Sequence, residues 1–113
     1  MAKVMIEAAI NGVTMRDKNP HVAYMPEEIA ADAVACARAG ASIVHFHVRE
    51  PNGKMSQDPG MYGRVMRLVR QAPDAPLLWP TFDVGSTVQH RFGHFAALAK
   101  SPETKPAAPA AAK

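Results

Sequence analysis

The sequence predicts an α/β domain in which short parallel strands alternate with helices. Three observations predict it. Apolar, partly β-branched runs recur at Val4 to Ile10, Ala41 to Val48 and Leu77 to Phe82. After each run comes a stretch with apolar residues at three- and four-residue steps. Glycine and proline clusters separate the two kinds of segment. The order strand, helix, strand, helix, strand, helix argues a parallel sheet with helices outside it. A doubly wound sheet and a (β/α)-barrel both begin this way.

Val4 to Ile10 reads as a first strand, buried on both sides except at Glu7. Asn11-Gly12 ends it. The polar stretch from Thr14 to Tyr24 is long for a connection, and long loops often carry function. His21 lies in it as a surface residue. Pro26 fits the first position of a helix, where its missing N–H costs nothing. Glu27 and Glu28 favour the positive helix N-terminus. Ile29, Ala33, Cys36 and Ala37 form its apolar stripe, and Gly40 ends it as a C′ glycine.

Ala41 to Val48 is the second strand. Arg49-Glu50-Pro51-Asn52-Gly53 is a turn cluster. Asp58 is the expected N-cap of the next helix, with Pro59 at its first position. Tyr62, Val65, Met66, Leu68 and Val69 give that helix its apolar side. Leu77 to Phe82 is the third strand, with Pro80 near its end. Ser86 then fits as the N-cap of a third helix through Arg91, Phe92, Phe95 and Leu98. Residues 101–113, rich in Pro, Ala and Lys, are expected to be a disordered tail behind a domain at 1–100.

Composition narrows the function classes. A chain of 113 residues with 48% apolar content makes one domain with a core. Its net charge of +3 is mild. Arg64, Arg67 and Arg70 recur at helical spacing and read as one solvated face, so no nucleic-acid partner is expected. No apolar run is long enough to span a bilayer, so no membrane partner is expected either. No signal peptide is evident, and the lone Cys36 reads as a small core residue. The expected compartment is a reducing cytoplasm.

The chemistry-bearing stretch is Val44-His45-Phe46-His47-Val48-Arg49. Strand residues alternate faces, so His45 and His47 point the same way, roughly 6.5–7 Å apart along the strand. Two imidazoles on one face suit a cation held between them, and neutral imidazole is a good zinc ligand. The plainer reading is a pair of hydrogen-bonded histidines at a wet strand end. In a barrel, sites gather at the C-terminal ends of strands. His45, His47, Thr81 and Asp83 lie at such ends. Glu7 lies on the neighbouring strand and Asp83 follows the third; Asp83 or solvent is expected to complete any residual site, whereas Glu50 has the wrong spacing from His47 to share its face. His90 and His94, four apart on the third helix, suggest a weaker second pair. A dinucleotide fold wants a glycine fingerprint after the first strand, and Asn11-Gly12-Val13 does not supply it.

Four blocks carry a family resemblance: Ala9-Ile10-Asn11-Gly12, Asn19-Pro20, Pro26-Glu27-Glu28-Ile29-Ala30, and the run from Ala39 to Arg49. Together they resemble the N-terminal part of the β-keto acid cleavage enzymes, from about Lys3 to about Lys100. The most specific part is the helix-glycine-strand block ending in His-x-His-x-Arg. The resemblance implies a TIM barrel that binds zinc through His45, His47 and a glutamate from a late strand. It implies transfer between a β-keto acid and acetyl-CoA, giving acetoacetate and a new acyl-CoA, in amino acid catabolism. It implies a homo-oligomer. It places Thr81 where the family begins a substrate-contacting turn, here Thr81-Phe82-Asp83-Val84-Gly85, with the hydroxyl kept and two glycines missing. It places Thr14 near an acidic substrate-facing position of the type enzyme.

A whole barrel needs roughly 250 residues. About three of eight strand–helix units are expected here. The third zinc ligand, the catalytic aspartate and the substrate-holding arginine are expected outside this chain. The chain alone is therefore expected to be catalytically incomplete. The alternative is a non-catalytic, metal-binding partial barrel that pairs with a partner chain.

Overall fold

The computed structural model describes residues 2–81 and 87–100, with the backbone alone described at 90, 91, 94 and 95. The elements are β1 (Glu7–Ala9), α1 (Pro26–Arg38), β2 (Ile43–Phe46), α2 (Pro59–Arg70), β3 (Leu77–Pro80) and α3 (Val88–Ala99). The strands form one parallel sheet in the order β1-β2-β3. This is the alternation the sequence predicts. It is a small parallel β/α domain, compatible with the start of a larger β/α fold. The expectations for Asp83, Ser86, the tail at 101–113 and the His90 and His94 side chains lie outside the described residues.

Parallel pairing fixes which residues share a face. The register pairs Glu7 with Ile43 and Ile43 with Leu77, then Ala9 with His45 and His45 with Trp79. Side chains alternate along each strand, so these odd-numbered residues line one face. Even-numbered residues line the other. On β2 and just beyond, Val44, Phe46 and Val48 are fully buried. They form the core with Ala23, Ile29, Ala30 and Ala33 on the α1 side, Tyr62, Val65 and Val69 of α2, and Leu98 of α3. Ile10 and Leu78 pack against the same cluster. Among the described residues the helices therefore cover the even face and leave the odd face open.

That arrangement corrects the reading of the first strand. Val4, Met5 and Ile6 were expected to be buried, yet they are 77%, 80% and 51% exposed. β1 is an edge strand whose ladder spans only Glu7–Ala9. The described residues put no neighbouring strand beside its outer edge. Leu77 and Trp79 on the odd face of β3 are likewise exposed. The ladder of β2 is shorter than the run from Ala41 to Val48, but its alternation of burial continues to Val48.

Local chemistry sets the helix ends. At the start of α1 the Glu28 carboxylate reaches back to the Met25 and Tyr24 N–H groups, both at 2.9 Å. It also pairs with Arg16 at 2.8 Å. Gly40 closes α1 with φ +112°, a conformation that disfavours any side chain. Asp58 caps α2 by accepting from the Gly60 N–H at 2.8 Å, with Pro59 at the first helical position as predicted. Arg64, Arg67 and Arg70 are exposed on α2, and Arg64 bonds to Glu27 of α1 at 2.6 Å. No helix among the described residues is long and apolar enough to cross a membrane.

Candidate metal and substrate site

The site grows out of the open face where the strands end. His45 is on β2 between Ala9 and Trp79. His47 follows one step beyond the ladder and remains in phase, because Phe46 and Val48 on either side of it are buried. The sequence expectation that both rings share a face holds. Their centroids are 5.4 Å apart, with the ring planes 77° to one another. Two imidazoles on one tetrahedral zinc, bound at about 2.0–2.1 Å, have centroids roughly 5 Å apart. The observed 5.4 Å is close to that separation.

Thr81 joins them from the end of β3. Its N–H donates to the Phe46 carbonyl at 2.8 Å, which extends the β2–β3 ladder by one residue. The Tyr62 hydroxyl of α2 donates to the Thr81 carbonyl at 2.6 Å. The backbone of Thr81 is thus held from both sides. Its Oγ1 sits against the edge of the His45 ring, 2.8 Å from Nε2 and 3.1 Å from Nδ1. From β1, the Glu7 carboxylate reaches within 3.7 Å of His45 Nδ1. All four side chains belong to the odd face, and all retain contact with solvent.

The donor set fits a divalent cation only in part. His45 and His47 provide two neutral nitrogen donors on one wet face. A catalytic zinc usually takes three protein ligands and keeps one position open. Among the described residues no group of three His, Cys, Asp or Glu side chains could hold a metal. Glu7 is next to His45 but does not complete such a group. Asp83 lies outside the described residues.

Thr14 is not gathered with the imidazoles by any described hydrogen bond. It is exposed in the loop after β1 and lines a cavity of about 190 Å³ with Ile10, Asn11, Gly12, Asn19 and Val22. Its carbonyl accepts from Arg49 at 2.9 Å. This cavity adjoins the C-terminal end of β1.

Two residues that the sequence reading gave no packing role tie the loops around the site together. Arg49, read as the first residue of a turn cluster, is 1% exposed. It donates to the carbonyls of Gly53 at 2.6 Å, Gly12 at 3.0 Å and Thr14 at 2.9 Å. Its guanidinium also lies 4.7 Å from the centre of the Tyr24 ring. It ties the loop after β1 to the loop after β2. Asn11, expected to do no more than end the strand, is also buried and bonds to the backbone of His47. Both residues sit inside the family blocks, but neither spacing nor hydropathy signals a buried polar staple.

A parallel β/α sheet with paired imidazoles and a hydroxyl at adjacent strand ends defines a β/α protein whose candidate site lies at the C-terminal edge of its strands. The chain belongs to the beta-keto acid cleavage enzyme family, which it matches over residues 3–110. It is 42% identical over 76 residues to a 3-keto-5-aminohexanoate cleavage enzyme of Fusobacterium nucleatum, covering 66% of this chain and 28% of that protein. It is 39% identical over 77 residues to the protein of the same name from Acetoanaerobium sticklandii, with the same coverage of both. A 3-dehydrocarnitine:acetyl-CoA trimethylamine transferase of Rhizobium meliloti is 36% identical over 72 residues, covering 62% of this chain and 24% of the relative. The chain spans about a quarter of the length of these curated relatives.

Proposed function

We propose that this chain carries the opening part of a zinc-dependent β-keto acid cleavage site, built in the first three units of a (β/α)-barrel. The observation that carries it is the juxtaposition of His45, His47 and Thr81 at two adjacent strand ends, in a chain of this family. The open odd face supports the barrel reading. It bears Glu7, His45, His47 and Thr81, a polar set that suits a barrel mouth better than a face covered by helices.

In this reading His45 and His47 hold the ion. A bound zinc supplies Lewis acidity to the keto oxygen of the substrate, where negative charge builds up during cleavage. Thr81 offers a hydroxyl to the substrate from the same rim, and Thr14 lines its approach from the loop after β1. The co-substrates are a β-keto acid and acetyl-CoA, and the products acetoacetate and an acyl-CoA. The names of the relatives support this substrate class. A reducing cytoplasm is the compartment proposed, with Cys36 a free thiol.

A second reading is favoured by the incomplete donor set among the described residues. In it the chain is a non-catalytic partial barrel that binds metal weakly and needs a partner chain. Two assays test both readings. Cobalt(II) titration, followed by visible absorbance and by quenching of Trp79, should show weak binding that His45→Ala or His47→Ala abolishes. Acetyl-CoA consumption with β-keto acids should stay at background. Metal binding that survives the double variant would overturn the site, and turnover by the chain alone would overturn its incompleteness.

A further inference from the structure

The structure assigns Asn11 as the positioning residue for His47. The inference rests on His47 being a metal donor, and it concerns how this chain keeps that donor in place. Asn11 is 4% exposed at the end of β1. Its Oδ1 accepts the His47 N–H at 3.0 Å, and its Nδ2 donates to the His47 carbonyl at 2.7 Å. The second Nδ2 hydrogen goes to the Ala23 carbonyl at 3.1 Å, just ahead of α1.

The side-chain amide therefore does what a peptide group of a neighbouring strand does. Both backbone groups of one residue are satisfied by one planar donor–acceptor pair. The β1–β2 ladder ends at Ala9 and His45, and the Ile10 N–H still bonds to the His45 carbonyl at 3.2 Å. Beyond that point the backbone of β1 turns away, with the Thr14 N–H bonding to the Asn11 carbonyl at 3.2 Å. Asn11 takes over as a one-residue extension of the strand. That extension keeps His47 extended, and extended geometry keeps its ring on the same face as that of His45. Without it the His47 N–H and carbonyl lose the partner that carries the strand pairing one residue further.

The amide orientation is dictated by its partners. A flipped amide would set NH₂ against the His47 N–H and oxygen against two carbonyls. Asparagine is consequently the residue whose short side chain presents both groups here. Aspartate has the same shape, but ionised it has no donor for the carbonyls of His47 and Ala23, and protonated it has one O–H for the two. Glutamine adds a methylene, which sets its amide at a different reach from the His47 backbone groups.

The experiment compares the full chain with Asn11→Asp and, as a stability control, Val69→Ala in the core. Metal-free spectra come first: the His47 backbone amide, its hydrogen exchange, and the cross-relaxation between the His45 and His47 rings. Cobalt(II) affinity follows. Asn11→Asp should move the His47 resonances, weaken the ring-to-ring contact, and lower cobalt affinity by about 10–100-fold, as loss of an outer partner of a metal ligand does. Val69→Ala should lower stability with His47 and cobalt binding unchanged. Unaltered His47 resonances in a folded Asn11→Asp chain would overturn the assignment. So would equal losses in Asn11→Asp and Val69→Ala. Should Asn11→Asp fail to fold, Asn11→Ser, which keeps a small donor, is judged by the same spectra. A parent chain that binds no cobalt refutes the metal reading alone, because the metal-free spectra still decide the role of Asn11.

Discussion

Replacing Arg49 tests whether the two site loops depend on one buried cation. Arg49→Met keeps the length and apolar stem but removes every donor. The carbonyls left behind are unequal. Gly53 is buried, so its carbonyl, now bonded at 2.6 Å, has no water to turn to. Gly12 is half-buried and Thr14 exposed, so water can replace much of what those two lose. A hydrogen bond to a charged group contributes about 1.5–3 kcal/mol. Counting Gly53 in full and the others in part gives a loss of about 3–4 kcal/mol, a large share of the ~5–15 kcal/mol that holds a typical domain. Arg49→Lys keeps the charge but replaces the fork by one ammonium, which cannot reach three carbonyls at once. It should lose about 1–2 kcal/mol less than the methionine variant. Urea unfolding followed by circular dichroism at 222 nm measures both. A methionine variant within 0.5 kcal/mol of the parent, on the scale of a neutral surface change, would refute the staple.

Gly53 has φ +87°, and an added Cβ would lie 2.6 Å from the Tyr24 hydroxyl oxygen and 2.7 Å from Met15 Cε. Gly53→Ala should therefore lower stability by more than about 2 kcal/mol, while Gly40→Ala, strained but open, should cost about 1 kcal/mol; thermal melts of the pair decide. Glu28 titrates below its ordinary 4.5, chiefly because the Met25 N–H and then the Tyr24 N–H bond to its carboxylate. Its contribution is complete above pH 4.5 and fades as pH falls through the lowered value, so Glu28→Gln should flatten the acid limb of stability. The carboxylate is nearly half exposed, so the effect should be about 1 kcal/mol or less, read as the melting temperature between pH 6 and pH 3. Leu77 is 70% exposed on the open face. Leu77→Lys should weaken self-association about 10–100-fold with secondary structure intact, by sedimentation velocity at several concentrations; a parent chain that stays monomeric contradicts this. Thr81→Val removes the hydroxyl from the His45 nitrogens and should strengthen cobalt(II) binding a few-fold, on the order of one net hydrogen bond.

Much of this architecture was legible in the residues. Apolar periodicity gave the six elements and their order. Pro26, Gly40, Asp58 and Pro59 marked helix ends through chemistry that acts within a few residues. The parity of His45 and His47 placed both on one face, and the end of β3 brought Thr81 beside them. The misreadings share a cause. Val4, Met5 and Ile6 are as apolar as any core strand, and hydropathy does not say whether a covering layer is present. Arg49 and Asn11 are polar residues in polar loops. Their burial depends on partners 35 to 37 positions away, such as Thr14 and Gly12 for Arg49 and His47 for Asn11. No local pattern carries such pairings.

Tyr62 gives the helical layer a mechanical link to the rim. The ring is packed in the core beside Phe46, with centroids 6.0 Å apart, while its hydroxyl holds the Thr81 carbonyl beyond the sheet. A sideways slip of α2 would drag that carbonyl, and with it the hydroxyl resting on His45. A substitution at Tyr62 itself can thus alter how the imidazole is presented without touching the open face.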